Sequence, residues 1–248
     1  MAKALFELNP GLDQAALATR FAADGRVHVR DVLTVETARE IRTILSQQTP
    51  WGYAGQADEG GATRPPEQIL AADTRTADGQ QRMQRMFKAT DDAARRGDYA
   101  YRYAQYSLVQ GVQEGWAPGG PHELLLEYLN APEFLGLARK VTGIDALVKA
   151  DGQATVYGAN HFLGQHNDSH VAEGWRVAYV LNFTIDDWRP DWGGHLVFYD
   201  GDGDIEAGYR PRFNSLNMFA VPRAHAVQYV PPFAPVGRYA ITGWLRDR

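Results

Sequence analysis

The sequence predicts a mainly β fold with flanking α-helices. Short alternating or apolar runs crowd the chain from about residue 145 onward, and turn clusters rich in Gly, Pro and Asp separate them. The helix-forming segments gather in the first half. Many short strands broken by such turns belong to a sandwich or barrel. The chain has 248 residues, 44% of them hydrophobic. That supports a sizeable core and fits a single domain over 1–248, because barrels and sandwiches often reach this size undivided. Within it, residues 1–145 read as a helical support region and residues 146–248 as the strand-rich core.

Taken in order, Leu12 to Ala18 has helix-forming residues with Asp13 as a cap. Val27 to Leu33 alternates with period two and reads as a strand, after which Thr34 or Thr37 can cap a helix through Ile44 and Leu45. Residues 51–67 are rich in Gly, Ala and Pro and read as loop. Residues 76–110 are polar, part helical and part mobile, with tyrosines at 99, 101, 103 and 106 that line a substrate entrance or pack on the sheet. Pro121 through Val141 is the strongest helix, with Gly143 at its end. The expected strands are Ala154–Tyr157, Arg176–Phe183, His195–Tyr199, Ser215–Phe219, Ala226–Val230 and Tyr239–Thr242. Asp200, Asp202 and Asp204 read as a solvated turn. An EF-hand needs a glutamate where Pro211 stands.

Composition narrows the function. There are no cysteines, which excludes disulfides, zinc-thiolate sites, iron–sulfur clusters and cysteine nucleophiles. The net charge of −5 and scattered basic residues leave no nucleic-acid footprint. No apolar stretch approaches a signal core or a membrane span, so the expectation is a soluble, cytoplasmic protein without membrane or nucleic-acid partners.

The chemistry centres on His166-Asn167-Asp168. On a strand, residues i and i+2 share a face, so one imidazole and one carboxylate can meet a single ion. A third ligand has to come from another strand. His225 suits that role, and His170, continuing the alternation, is the local rival. Two histidines and one carboxylate leave three positions open on an octahedral ion, an arrangement suited to non-haem Fe(II). His161 and His195 read as a loop residue and a strand residue. Thirteen residues after His225, Arg238 opens the run Arg238-Tyr239-Ala240-Ile241-Thr242-Gly243-Trp244. A buried arginine needs an anion, which is either the carboxylate of a ligand or a protein carboxylate at the sheet edge. Thr242 and Trp244 share its face, as a hydroxyl contact and an apolar wall. Tyr157, on the preceding strand, either donates to the same carboxylate or packs as a core tyrosine.

Together these residues resemble the 2-oxoglutarate- and Fe(II)-dependent dioxygenases, in particular the prolyl 4-hydroxylase-like branch. The resemblance covers about residues 150–248. It runs through Tyr157 to Asp168, Val180-Leu181-Asn182-Phe183, Trp188, Trp192-Gly193-Gly194-His195-Leu196, Phe213 to Phe219, Val221 to Val227 and Arg238 to Trp244. It implies a double-stranded β-helix, a cupin-like jelly roll, as the catalytic core over 146–248. It also implies His166, Asp168 and His225 as iron ligands and catalytic centre. Arg238 would then hold the distal carboxylate of 2-oxoglutarate, with Tyr157 assisting and Thr242 and Trp244 in the pocket. The cosubstrates implied are 2-oxoglutarate and dioxygen, with ascorbate as an accessory reductant. The reaction implied is hydroxylation of a C–H bond with release of succinate and CO2. The branch points to a prolyl or other amino-acid side chain of a peptide or protein, and a small metabolite is the alternative substrate. Rival readings are a non-catalytic jelly-roll binding module and a cupin-like enzyme using another metal. The chain departs from the pattern in three places. Arg238 stands where collagen-type enzymes use lysine, Ala240 where many relatives have serine, and Ala159-Asn160 where a glycine is common. Residues 1–145 carry no resemblance.

Overall fold

Local signals in the sequence set the helices. The computed structural model describes residues 5–169, 171–185 and 187–248. Helix α1 (Gln14–Asp24) begins behind Asp13, whose carboxylate accepts the Ala16 N–H at 3.0 Å, and ends at Gly25 with φ 62°. A side-chain acceptor at one end and a left-handed glycine at the other satisfy the unpaired groups of both termini. Strand β1 (Arg26–Arg30) follows and buries Val27 and Val29 on one face. Helix α2 (Val35–Thr43) starts after Thr34, whose hydroxyl meets that of Thr37 at 2.8 Å and caps no main-chain N–H.

Residues 51–67 are not loop throughout. They contain β2 (Gly52–Ala57) and reach the start of β3 (Glu67–Ile69), and these two strands pair. A Cβ on Gly52 would lie 2.2 Å from the Ile69 carbonyl oxygen, so this glycine permits strands to approach rather than marking a turn. Residues 76–110 likewise form ordered elements: helix α3 (Ala77–Arg96), strand β4 (Ala100–Ser107) and the start of helix α4 (Leu108–Gln113). The long helix expected over 121–141 divides into α5 (Pro121–Leu129) and α6 (Pro132–Thr142). Pro132 lacks the N–H that would continue α5 and instead opens α6.

The second half supplies β5 (Lys149–Ala150), β6 (Gln153–Tyr157), β7 (Phe162–His166), β8 (Trp175–Phe183) and β9 (Leu196–Tyr199). It continues with β10 (Ile205–Tyr209), β11 (Phe213–Ala220), β12 (His225–Val227) and β13 (Arg238–Arg246). Strand β10 falls where the sequence suggests only a turn. Ile205, Ala207 and Tyr209 alternate there, but the run is only five residues, follows an Asp/Gly turn directly and leaves Ile205 exposed, so its signal is weak. Before it, Asp200 Oδ1 accepts the N–H groups of Asp202 and Asp204, the solvated turn expected.

The strands form one antiparallel hydrogen-bonded path, β1-β11-β8-β13-β6-β4-β7-β12-β9-β10. Its two ends meet through side chains. Arg26 of β1 reaches Glu206 of β10 at 2.8 Å, and His28 stacks on Tyr209 with ring centroids 5.0 Å apart. The sheet is therefore a nearly closed barrel with helices outside, the jelly-roll form the resemblance implies. Residues 1–145 contribute β1 to β4 to this sheet, so that half is not purely helical. No described helix is long and apolar enough to cross a membrane.

The two faces of the central strands do different work. Tyr179, Leu181 and Phe183 of β8 pack outward with Leu216, Met218 and Ile241 against the helices. Ala178 and Val180 point inward with Leu196, Phe198, Phe219 and Ala240. On α6, Phe134, Leu137, Ala138 and Val141 recur at helical spacing and are all buried. Phe134 meets Tyr179 edge-on at 5.5 Å.

Replacing Phe134 with alanine is expected to lower the unfolding free energy by about 3–5 kcal/mol in urea denaturation. A change below about 1 kcal/mol would show that the helical layer does not hold the core. Acid provides a second test. His122 of α5 is buried against Tyr106, with Thr49 Oγ1 at 2.9 Å, and burial lowers its pKa from 6.5 to about 4. The unfolded chain therefore binds this proton first as pH falls. The contribution of His122 is complete above about pH 6.5 and declines toward pH 4. The urea midpoint should fall more steeply across that window in the wild type than in His122→Gln, and parallel curves would contradict this.

Candidate metal centre

His166 ends β7 and His225 begins β12, and the two are direct partners across this antiparallel pair. Their ring centroids lie 4.1 Å apart. Each Nδ1 faces a main-chain carbonyl, Gly164 O at 3.0 Å for His166 and Arg223 O at 2.7 Å for His225. A carbonyl can only accept, so Nδ1 carries the proton and each Nε2 keeps its lone pair.

Both lone pairs converge on Asp168. His166 Nε2 lies 3.3 Å from Oδ1 and His225 Nε2 3.5 Å from Oδ2. The route differs from the one expected. Strand β7 stops at His166, and Asp168 has φ 56°, a left-handed conformation that aspartate tolerates. A left-handed turn, not strand alternation, returns the carboxylate to the imidazole. One ligand atom from each of the three residues lies within 4.8 Å of the others.

The electrostatics suit a cation. Burial pushes the Asp168 pKa up. The neighbouring His166 and His225, in the protonated form that Asp168 favours when no ion is bound, outweigh it and leave the pKa below its ordinary value. Burial, with repulsion from His166, lowers His225 to about 4. An ionised carboxylate and a neutral imidazole are the forms that bind metal. His170, the rival third ligand, lies outside the described residues. His161 does not join the group: its Nδ1 receives the Gly158 N–H at 3.0 Å. His195 precedes β9, half-buried.

Arg238 opens β13 opposite Tyr157 of β6. Its guanidinium carbon sits 5.1 Å from the Tyr157 ring centroid, and the residue is only 1% exposed. Nε and Nη1 have no hydrogen-bond partner, and no carboxylate pairs with this arginine among the described residues. The protein-carboxylate alternative therefore fails. Burial lowers the Arg238 pKa to about 10, with Tyr157 opposing. The turn beside it requires glycine: Gly193 has φ 60°, and a Cβ there would lie 2.0 Å from the Tyr229 carbonyl oxygen.

A cavity of about 960 Å³ joins the two parts of the site. His166, Asp168, His225, Arg238, Tyr157, Thr242 and Trp244 all line it. Trp244 stacks on Trp175 with centroids 3.8 Å apart. The remaining wall comes from the first half of the chain. Tyr99, Tyr101 and Tyr103 line it, with Gln56 and Asp58. The Tyr99 ring is 6.0 Å from His166, and Tyr103 is 4.9 Å from Tyr157. Burial raises the pKa of all three tyrosines, that of Tyr101 to about 12, so they are protonated phenols. Their period-two spacing is the signal that finds this wall, whereas Tyr106 turns to the other face against Trp116 and His122. Asp58 carries no such signal, being buried in a Gly/Ala-rich tract. Thr63 to Pro66 also line it, while the turn at 200–208 contributes nothing to the lining.

Two imidazoles, a carboxylate and an unpaired buried guanidinium thus face one cavity. The donor set fits an octahedral divalent ion with open positions, and the guanidinium fits the far carboxylate of a dicarboxylic acid. Comparison with known proteins agrees. Residues 152–246 match the family described as the 2OG-Fe(II) oxygenase superfamily. No curated protein matches the chain. Among solved structures, a Pseudomonas putida prolyl-4-hydroxylase is similar with TM-score 0.58 and 17% identity, over 94% of this chain and 98% of that one. A Trichoplax adhaerens prolyl hydroxylase in complex with a hypoxia inducible factor oxygen degradation domain peptide fragment gives TM-score 0.59 and 13% identity, over 94% and 89%. A Burkholderia pseudomallei oxidoreductase of the 2OG-Fe(II) oxygenase family gives 0.57 and 14%, over 98% and 94%. At these identities the structural likeness speaks for fold alone. The family matched over residues 152–246 is an oxygenase superfamily, and at that level the resemblance read from residues 150–248 is borne out.

Anaerobic Fe(II), or Mn(II) as a redox-stable substitute, is expected to raise the melting temperature of the protein. Asp168→Ala and His225→Ala should each remove that shift. An undiminished shift in either variant would place the metal elsewhere.

Proposed function

With the superfamily match of residues 152–246 as premise, we propose that the protein is an Fe(II)- and 2-oxoglutarate-dependent oxygenase that hydroxylates a C–H bond. His166, Asp168 and His225 hold the metal, and Arg238 holds the distal carboxylate of 2-oxoglutarate. The observation that carries this reading is Arg238, a fully buried cation without a protein anion among the described residues, facing the cavity of the triad. When bound, Fe(II) and 2-oxoglutarate supply the oxidation, in which dioxygen gives one oxygen atom to succinate and one to the substrate as CO2 leaves.

The chain's own residues bind and orient. The carbonyls of Gly164 and Arg223 fix both imidazole tautomers, so no proton has to leave either Nε2 when the ion binds. Asp168 brings negative charge that offsets part of the ion's. The Arg238 fork matches a carboxylate through two parallel hydrogen bonds. Beside it the Tyr157 phenol, kept protonated by burial, can donate a third. Thr242 offers a hydroxyl on the same side, and the stacked Trp175 and Trp244 form an apolar wall that excludes water. A peptide fragment accompanies the Trichoplax neighbour. The cavity of about 960 Å³ has room for a similar class here, a prolyl or other amino-acid side chain. A non-catalytic module leaves the unpaired Arg238 without a purpose.

Succinate formation from 2-oxoglutarate should require Fe(II) and vanish in His166→Ala and Asp168→Ala. Retained turnover in either would sink the assignment. Arg238→Met gives a two-sided test. Losing one partner of a buried charge pair should raise the KM for 2-oxoglutarate about 30-fold or more. Removing an unpaired buried cation should leave the ligand-free protein at least as heat-stable as the wild type. A large loss of stability with an unchanged KM would make Arg238 structural.

A further inference from the structure

Asp58 is a charge that the metal and the cosubstrate do not use. Register places it: Gln56 pairs with Tyr101 and Ala57 with Ala100, and the Asp58 N–H donates to the Tyr99 carbonyl at 2.9 Å. Side chains of opposed residues share a face, so the carboxylate sits beside Tyr99 on the cavity side. The residue is 9% exposed and lines the cavity. Its Oδ1 accepts the Gln56 Nε2–H and the Arg64 N–H, each at 2.9 Å, and its Oδ2 accepts no hydrogen bond.

The nearby cations are already matched. Arg64 pairs with Glu59 at 2.6 Å, and Arg96 with Asp98 at 2.9 Å. Arg96 touches Asp58 only at its main-chain oxygen, at 3.3 Å. Among the described residues no lysine, arginine or histidine forms an ion pair with the Asp58 carboxylate. With Asp168 set against the metal and Arg238 against the cosubstrate, the substrate meets one uncompensated carboxylate. Tyr99 and Tyr101 stand beside it with ring centroids 5.9 Å apart. Aromatic faces next to a carboxylate without a cationic partner attract a cation and repel an anion.

We infer that the substrate presents a cationic nitrogen, an ammonium or guanidinium group, to Asp58 beside the Tyr99 and Tyr101 rings. This rests on the oxygenase reading and names the substrate class of that site. The Tyr99 ring, 6.0 Å from His166, separates the cation from the metal.

The test uses the Fe(II)-loaded protein and pairs that differ in charge but little in shape. These are arginine against citrulline and lysine against Nε-acetyl-lysine, each free and within a capped Gly-X-Gly peptide. Stimulation of succinate formation by the cationic member should exceed that by its neutral partner about tenfold or more in kcat/KM. Asp58→Asn, which keeps the Oδ1 acceptor, should abolish the preference. Asp58→Glu should restore part of it, and thermal melting checks that both variants fold. Equal use of charged and neutral partners, a preference that survives Asp58→Asn, or no stimulation by any member would each overturn the inference. The oxygenase reading fails separately, if 2-oxoglutarate turnover without added substrate persists in His166→Ala.

Discussion

The pairing of β7 with β12 is the constraint on which the site depends. Because His166 and His225 are opposed across it, two imidazoles meet without a helix or loop having to carry either one. A slip of one residue would turn His225 to the other face of the sheet and dismantle the pair. The same register is enforced from the far side, where β12 pairs with β9 and His225 stands opposite Phe198. Phe198 and Phe219 close over the imidazole, the latter at 4.6 Å, and this apolar packing is part of the burial that keeps His225 neutral. Gly164 ties the metal pair to the cavity wall. Its carbonyl fixes His166, and a Cβ on it would lie 2.8 Å from the Ala100 carbonyl oxygen. One glycine thus lets β4 close on β7 and brings the tyrosine wall to the metal.

Arg238 imposes the opposite kind of demand. Every other large side chain buried as deeply is apolar or hydrogen-bonded: Trp188 gives its indole N–H to Gly193 O, and Tyr179 gives its hydroxyl to Asp151 O. A guanidinium with two nitrogens unsatisfied is tolerated only because the surrounding core holds its place. That core lies outside the barrel, where α6 and the outward face of β8 pack. Helix packing on one side of the sheet therefore offsets an electrostatic debt on the other. On the proposed reading, a ligand carboxylate would pair this guanidinium, and part of its binding energy would come from relieving the cost of the unpaired charge in the free protein.

Legibility from the sequence followed how locally each feature is determined. The Asp13 cap, the Gly143 terminus and the apolar strands of β8 and β13 are written in neighbouring residues, and they were readable. The convergence of His166, Asp168, His225 and Arg238 was readable through the order of motifs that resembles a known family. The reason for it was not. Strand alternation suggested a shared face, yet Asp168 gets there through a left-handed turn that only coordinates reveal. Gly52 and Gly55 looked like loop residues because their role, close approach of β2 to its neighbours, depends on atoms distant in sequence. Strand β10 carries only a short alternation, Ile205, Ala207 and Tyr209, directly behind an Asp/Gly turn and with Ile205 exposed, so hydrophobicity marks it far more weakly than β8 or β13.

The distribution of the site along the chain explains why reaction and substrate differ so much in legibility. Tyr157, His166, Asp168, His225, Arg238, Thr242 and Trp244 all fall within residues 152–246, the part that matches the oxygenase superfamily. Gln56, Asp58, Arg64, Tyr99, Tyr101 and Tyr103 all lie outside it, on β2, the tract that follows β2, and β4 with the residue just before it. Holding an ion and a dicarboxylic acid requires particular ligand atoms at fixed separations, and few residue types satisfy that. Walling a substrate requires only size, polarity and charge in the right place, and many sequences can supply those. The first constraint leaves a pattern that recurs among distant relatives. The second leaves one tyrosine stripe and one unpaired carboxylate, which acquire meaning only when the sheet brings them in front of the metal.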